Sequence, residues 1–241
     1  MIRRSLLRLS LLLLLPAAPI LADDVQFTGT AAFADPLTGT SMSPYSGTLN
    51  GQAVEFICVD ATTGLASTAS WTATATALTN PFSYANTLQF QLTGSNSTAQ
   101  TNYLEIAYLI TQLLTNLDLA NQADAAHQNS LETFYGELAA QDQWAIWSFT
   151  PPSAALGNPD PYGTNASLVA TAQAAVQGGF TVSNWEILTP DSDIPGRTGA
   201  PGQEVIVVPT PEPATVVLLL AGALGLVALT LVRKHTRLSP I

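Results

Sequence analysis

One cysteine, one lysine and two histidines are all that the 241 residues hold of those three types. A single thiol excludes any internal disulfide, so stability has to come from packing and backbone pairing. Two histidines, only His127 of them away from the C-terminal tail, exclude a histidine-based triad and a multi-histidine metal site by count. Neither a GxSxG nucleophile elbow nor a phosphate-binding glycine loop is present. Basic residues are scarce and confined to the ends. Between Asp23 and Val232 the only one is Arg197, set against all 17 acidic residues, a net charge of −16. Such a body repels nucleic acid and anionic membrane surfaces, and self-repulsion keeps it soluble.

Both ends read as addresses. Arg3, Arg4 and Arg8 precede a short apolar run, Leu9 to Leu15, and Ile20-Leu21-Ala22 forms a small-residue cleavage site. Residues 1–22 therefore read as a secretory signal peptide, and the general secretory route fits the sequence around Arg3-Arg4 better than the twin-arginine route. At the other end Ala214 to Val232 is uncharged over 19 residues. As a helix it spans about 28 Å, close to a bilayer core. Arg233, Lys234 and Arg237 follow, which predicts a basic cytoplasmic tail over 233–241 and an exported body over 23–190. Residues 191–213 are expected to hold a last strand and a proline-rich linker.

The body changes period along its length. Residues 25–99 are dense in Thr, Val, Phe, Gly and Ser, and read as strands. Asn50-Gly51 is a hairpin turn signal between YSGTL and QAVEFICV. The two-residue period puts Val54, Phe56 and Cys58 on one face. A loop followed by a strand around Trp71 is expected next, then a strand over TLQFQL at 87–92. Helical spacing then runs from Asn102 through Leu117, with Asn102 and Glu105 as a capping box. Further helical pieces are expected from Asn129, over DQWAIWSF, and over 165–179, with FTVSNWEIL and QEVIVV as closing strands. The fold class expected is α+β: a β-rich antiparallel sheet or sandwich with an inserted helical segment, plus one C-terminal transmembrane helix.

The lone Cys58 is open to three readings from the residues themselves. It is a small buried hydrophobe, an intermolecular disulfide partner, or a sulfur bonded to another side chain. Asp191 and Asp193 lack the spacing of a calcium loop, and His127 reads as a solvated or capping residue. Asn96 and Asn165 begin short matches to the glycosylation pattern. No cofactor and no metal is expected.

FICV, followed 85 positions after its cysteine by Gln143 in QWAIW, resembles the thioester domains of bacterial surface adhesins. In those domains a cysteine bonds to the glutamine of a Thr-Gln-apolar-Ala-apolar-Trp motif. The segment Asp142-Gln143-Trp144-Ala145-Ile146-Trp147 fits five of the six positions, with Asp142 where the motif has threonine. The resemblance implies Cys58 as thiol partner and Gln143 as acyl partner, with Phe56, Asp142, Trp144 and Trp147 around them. Aspartate is a good N-cap, and Gln143 is expected in the first turn of a helix, where free backbone N–H groups would steady an oxyanion. The lysine-free body would keep neighbouring copies from coupling to one another through lysine.

The C-terminal segment VPTPEPATVVLLLAGALGLVALTLVRKH resembles a PEP-CTERM sorting signal, with Pro211-Glu212-Pro213, span and basic tail in order. That resemblance implies processing by an exosortase-type transpeptidase, a Gram-negative source, and delivery from the inner membrane to the cell surface or extracellular matrix. The function expected is a non-enzymatic surface or matrix protein, with an amine- or hydroxyl-bearing target or an exopolysaccharide as partner. The rival is a non-covalent structural or polysaccharide-binding biofilm-matrix protein whose cysteine is inert. A hydrolase stands third, since the acidic residues form no convincing pair.

Overall fold

The computed structural model describes residues 22–60, 69–79, 84–150, 159–193 and 202–208. The signal peptide, the Pro211-Glu212-Pro213 motif, the apolar span and the basic tail lie outside the described residues. Among the described residues no helix is long and apolar enough to cross a membrane.

Six antiparallel strands close into a barrel, in the order β1-β2-β3-β6-β5-β4 and back to β1. They are β1 (Asp23–Ala34), β2 (Ser41–Leu49), β3 (Gln52–Cys58), β4 (Ser70–Ala77), β5 (Glu186–Pro190) and β6 (Val205–Val207). The expected α+β class with a β-rich antiparallel sheet and an inserted helical segment holds. The sheet closes into a barrel, which corrects the sandwich alternative. Closure comes from β1, whose Val25 pairs with Leu49 of β2 on one side and Trp71 of β4 on the other. Closing the ring leaves no edge strand among the described residues. The body runs through β6, which pairs with both β3 and β5.

Among the described residues all four α-helices lie between β4 and β5: α1 (Leu88–Thr93), α2 (Asn96–Ala125), α3 (Asn129–Trp147) and α4 (Asn165–Gln177). TLQFQL is therefore mostly helix, not strand. Thr87 caps it through Phe90 N–H, and Gly94 ends it at φ 66°, a conformation glycine adopts without strain. Its alternating residues resemble a strand, but a run this short cannot be assigned by period. α2 starts before the expected capping box, at the Ser95 cap, and Asn102 instead donates to the Gln89 side chain. The separate pieces expected from Asn129 and over DQWAIWSF are one helix. Ala139, Ala140 and Gln141 between them are good helix formers, and the run holds no Pro and carries its single glycine, Gly136, through without a break.

Strand alternation creates two cores. Val25, Phe27, Phe56, Cys58, Trp71, Ala73, Leu188, Val205 and Val207 fill the barrel. Ile57, Val59, Ile187 and Ile206 point the other way and join Ile106, Ile110, Leu113, Trp144 and Ile146 in a barrel–helix layer. Ile57 and Val59 thus face one core while Phe56 and Cys58 face the other, as the two-residue period predicts.

Candidate functional site

The Asn50-Gly51 turn has φ of 52° and 78°, the double positive-φ conformation of a tight hairpin. It fixes the β2–β3 register: Leu49 faces Gln52, Gly47 faces Val54 and Tyr45 faces Phe56. Carried two residues further, that register sets Ser43 opposite Cys58. Here a third group enters the ladder. Cys58 N–H donates to Ser43 Oγ at 2.8 Å. Ser43 N–H donates to Gln143 Oε1 at 3.3 Å, and Gln143 Nε2 donates to the Cys58 carbonyl at 3.0 Å. The Gln143 side-chain amide therefore stands between the two strands as a peptide group would, accepting from one and donating to the other. Pro44, next along β2, has no N–H with which to continue the pairing.

Ser43, Cys58 and Gln143 are all buried, at 0 %, 1 % and 0 % exposure, so water does not compete for these bonds. Burial pushes the Cys58 thiol well above its ordinary pKa. A hydrogen bond with the Ser43 side chain pulls it back in part, and the Asp60 charge adds a smaller push upward.

The surrounding side chains are held in place by named partners. Phe56 packs in the barrel 5.4 Å from the Phe27 ring. Its ring lies over Gly47, where a Cβ would come within 2.4 Å of it and 2.3 Å of the Gln26 carbonyl; only glycine fits there. Trp144 donates from Nε1 to Asp35 Oδ2 at 3.0 Å and meets Trp147 edge-on at 5.2 Å. Asp35 also accepts from Thr38 Oγ1, the Leu37 N–H and the Tyr162 hydroxyl. Burial pushes its carboxyl up, but these donors outweigh burial and hold it below the usual range. The Trp147 indole N–H is buried and has no partner among the described residues.

Two expectations are corrected. Gln143 is not in a first helical turn. It lies near the C-terminal end of α3, about 20 Å from the free N–H groups at Asn129. Asp142 likewise is no N-cap. Its Oδ2 accepts from Asn116 Nδ2 of α2 at 2.8 Å, beside a cavity of about 240 Å³ among α2, α3 and α4. A residue's turn on a helix is about 100°, so neighbouring Asp142 and Gln143 serve different surfaces. Burial pushes the Asp142 carboxyl up to about 7, offset in part by Asn116.

Cys58 and Gln143 are thus brought together, with Trp144 and Trp147 beside Gln143 on α3 and Phe56 beneath Cys58 on β3. Ser43 was missed from sequence, although the hairpin arithmetic points to it. Also missed were Asp35 and a buried carboxylate, Glu204, which accepts from Tyr103 Oη (2.5 Å), Thr189 Oγ1 (2.6 Å) and Leu88 N–H (2.9 Å). Burial raises Glu204 to about 7. Val59 N–H donates to its backbone carbonyl, which places this network directly after Cys58 in the chain. His127 is exposed at the α2–α3 turn with φ 57°. Among the described residues no group of three or more His, Cys, Asp or Glu stands close enough to hold a metal ion. No family model, no curated protein and no solved structure matches this chain.

Proposed function

We propose that this is an exported bacterial surface or extracellular-matrix protein whose body carries an internal thioester between Cys58 and Gln143. The observation that carries this reading is the insertion of the Gln143 amide between β2 and β3, hydrogen-bonded to the backbone of Cys58 itself. In bond formation the Cys58 sulfur attacks the Gln143 side-chain carbon. The S–H and C–N bonds break, the S–C bond forms, and the thiol proton leaves with the nitrogen as ammonia. The product stores an acylating carbon behind apolar walls that keep water out. An amine or hydroxyl on a partner then takes the acyl group, and the thiol is freed. The protein is consumed in joining its target and does not turn over.

A groove near the site supports an amine as the nucleophile. Its volume is about 530 Å³, it is lined by Glu55, Asp118, Asp124 and Glu132 with no basic residue, and it includes Pro44, next to Ser43. An ammonium group is drawn to such a surface. The lysine-free body removes the commonest competing amine from the protein's own surface. On this reading the C-terminal segment is a PEP-CTERM signal: an exosortase-type enzyme acts near Pro211-Glu212-Pro213 and passes the body from the inner membrane to the surface or matrix.

Methylamine tests the stored electrophile. The expected result is one methylamide at position 143 and one newly alkylatable thiol at Cys58, both abolished in Cys58→Ala. The second reading is a non-covalent matrix protein in which Gln143 is a strut completing the β2–β3 ladder. Its hydrogen bonds to both strands favour that role, and on that reading methylamine leaves the protein unchanged.

A further inference from the structure

We infer that Ser43 is the catalytic residue of the bond-forming step, its backbone N–H serving as the oxyanion donor and its hydroxyl as the partner of the attacking sulfur. The inference rests on the thioester reading and assigns a role that neither motif supplies. An acyl transfer at Gln143 moves negative charge onto Oε1 as the sulfur adds. The donor for that charge has to be in place beforehand and shielded from water, because a fixed donor in a dry site needs no reorganisation as the reaction proceeds. The free N–H groups of a helix N-terminus do not serve, since Gln143 lies at the other end of α3. The group already on Oε1 is Ser43 N–H, at 3.3 Å, on a fully buried residue. That separation is long for a ground-state bond and shortens as charge grows on the oxygen.

The hydroxyl meets the second need. A buried thiol resists ionisation, and Ser43 carries the hydroxyl placed beside Cys58 to hydrogen-bond its charged form and favour it. The same Oγ accepts from Cys58 N–H at 2.8 Å, which fixes the hydroxyl's position and leaves its own proton to donate. One residue therefore holds the nucleophile and the electrophile in register. Its place follows from the hairpin: the turn at Asn50-Gly51 sets position 43 across from position 58. In the product, Ser43 N–H remains on the thioester oxygen and serves the opening step in the same way.

The test refolds the full-length chain from denaturant into detergent micelles and follows loss of ammonia by intact mass. Ser43→Ala keeps the N–H and removes the hydroxyl. Bond formation is expected to slow about 10- to 100-fold, the value of one hydrogen bond to a charged group, and the rate–pH curve to move to higher pH. Ser43→Thr, which restores a hydroxyl, returns the rate toward wild type. Ser43→Gly, with room for a water against Cys58 N–H, is the variant to use if Ser43→Ala does not fold, and it too is slow. A purely structural role would lower thermal stability and leave both rate and pH curve unmoved in the folded variants, which overturns the inference. If wild type itself loses no ammonia, the thioester reading falls and this role with it. If wild type loses ammonia and the alanine or glycine variant keeps pace, only the role of Ser43 falls.

Discussion

The two faces of β3 look into very different cores. Inside the barrel, Phe56 and Cys58 sit among aliphatic and aromatic side chains. On the helical side, where Ile57 and Val59 point, stand a series of buried polar groups: Asp35, Gln143 and Glu204 against the barrel, and Asp142 among the helices. Burying such groups costs free energy unless each is hydrogen-bonded, and each has partners. The barrel therefore acts as the rigid frame, and polar chemistry collects on its helical side. Gln143 crosses between the two, reaching from α3 into the gap where the β2–β3 ladder opens.

The comparison breaks most visibly inside the frame. Phe56→Ala removes the ring stacked over Gly47 and is expected to cost about 3–5 kcal/mol, read as a fall in denaturation midpoint, with folded molecules still able to form the Cys58–Gln143 bond. Gln143→Ala acts at the crossing. Against a Cys58→Ala reference, where no thioester forms and the amide stays whole, it orphans Ser43 N–H and the carbonyl of residue 58, for an expected loss of about 2–4 kcal/mol, measurable by the same denaturation. The ordering of these two variants tests whether frame and crossing are energetically distinct.

Asp142 sharpens the comparison through pH. Its folded carboxyl is raised to about 7 by burial, above the ordinary range near 4 that the unfolded chain keeps. Between those values the native state binds more protons than the unfolded one, so stability falls as pH rises from about 4 to 7 and is level beyond. Glu204 adds a slope of the same sign. Asp142→Asn is expected to match wild type near pH 4, exceed it by up to a few kcal/mol near pH 8, and flatten part of the curve. A wild-type profile that rises over this window would contradict the burial of both carboxyls. The smallest effect is expected at the far end of α3. Phe134 is 51 % exposed, and Phe134→Ser should change stability by no more than about 0.5 kcal/mol.

How much of this was legible in the sequence depends on the range of the interaction. The hairpin, the inward turn of Cys58 and the outward turn of Ile57 follow from local rules about two-residue turns and strand alternation. Pairing Cys58 with Gln143 needed the resemblance of the QWAIW segment, since nothing local links positions 85 apart. Barrel closure was not legible, because it depends on β1 meeting β4 and β3 meeting β6, and these non-local pairings leave no periodic trace. Over TLQFQL, strand-like alternation gave way to the Thr87 cap and the Gly94 stop. At Asp142 the N-cap preference gave way to an uninterrupted helix whose carboxylate finds Asn116. Ser43 stood one subtraction away, through the hairpin register.

Intact mass of the purified full-length protein tests the central claim most directly. The account predicts a wild-type mass lower by one ammonia than the processed sequence, and full mass in both Cys58→Ala and Gln143→Ala. Peptide mapping guards against hydrolysis, since an opened thioester leaves glutamate at position 143 where an unreacted chain keeps glutamine. Wild-type protein of full mass, with glutamine intact at 143 and a Cys58 thiol that alkylates on unfolding, would contradict it.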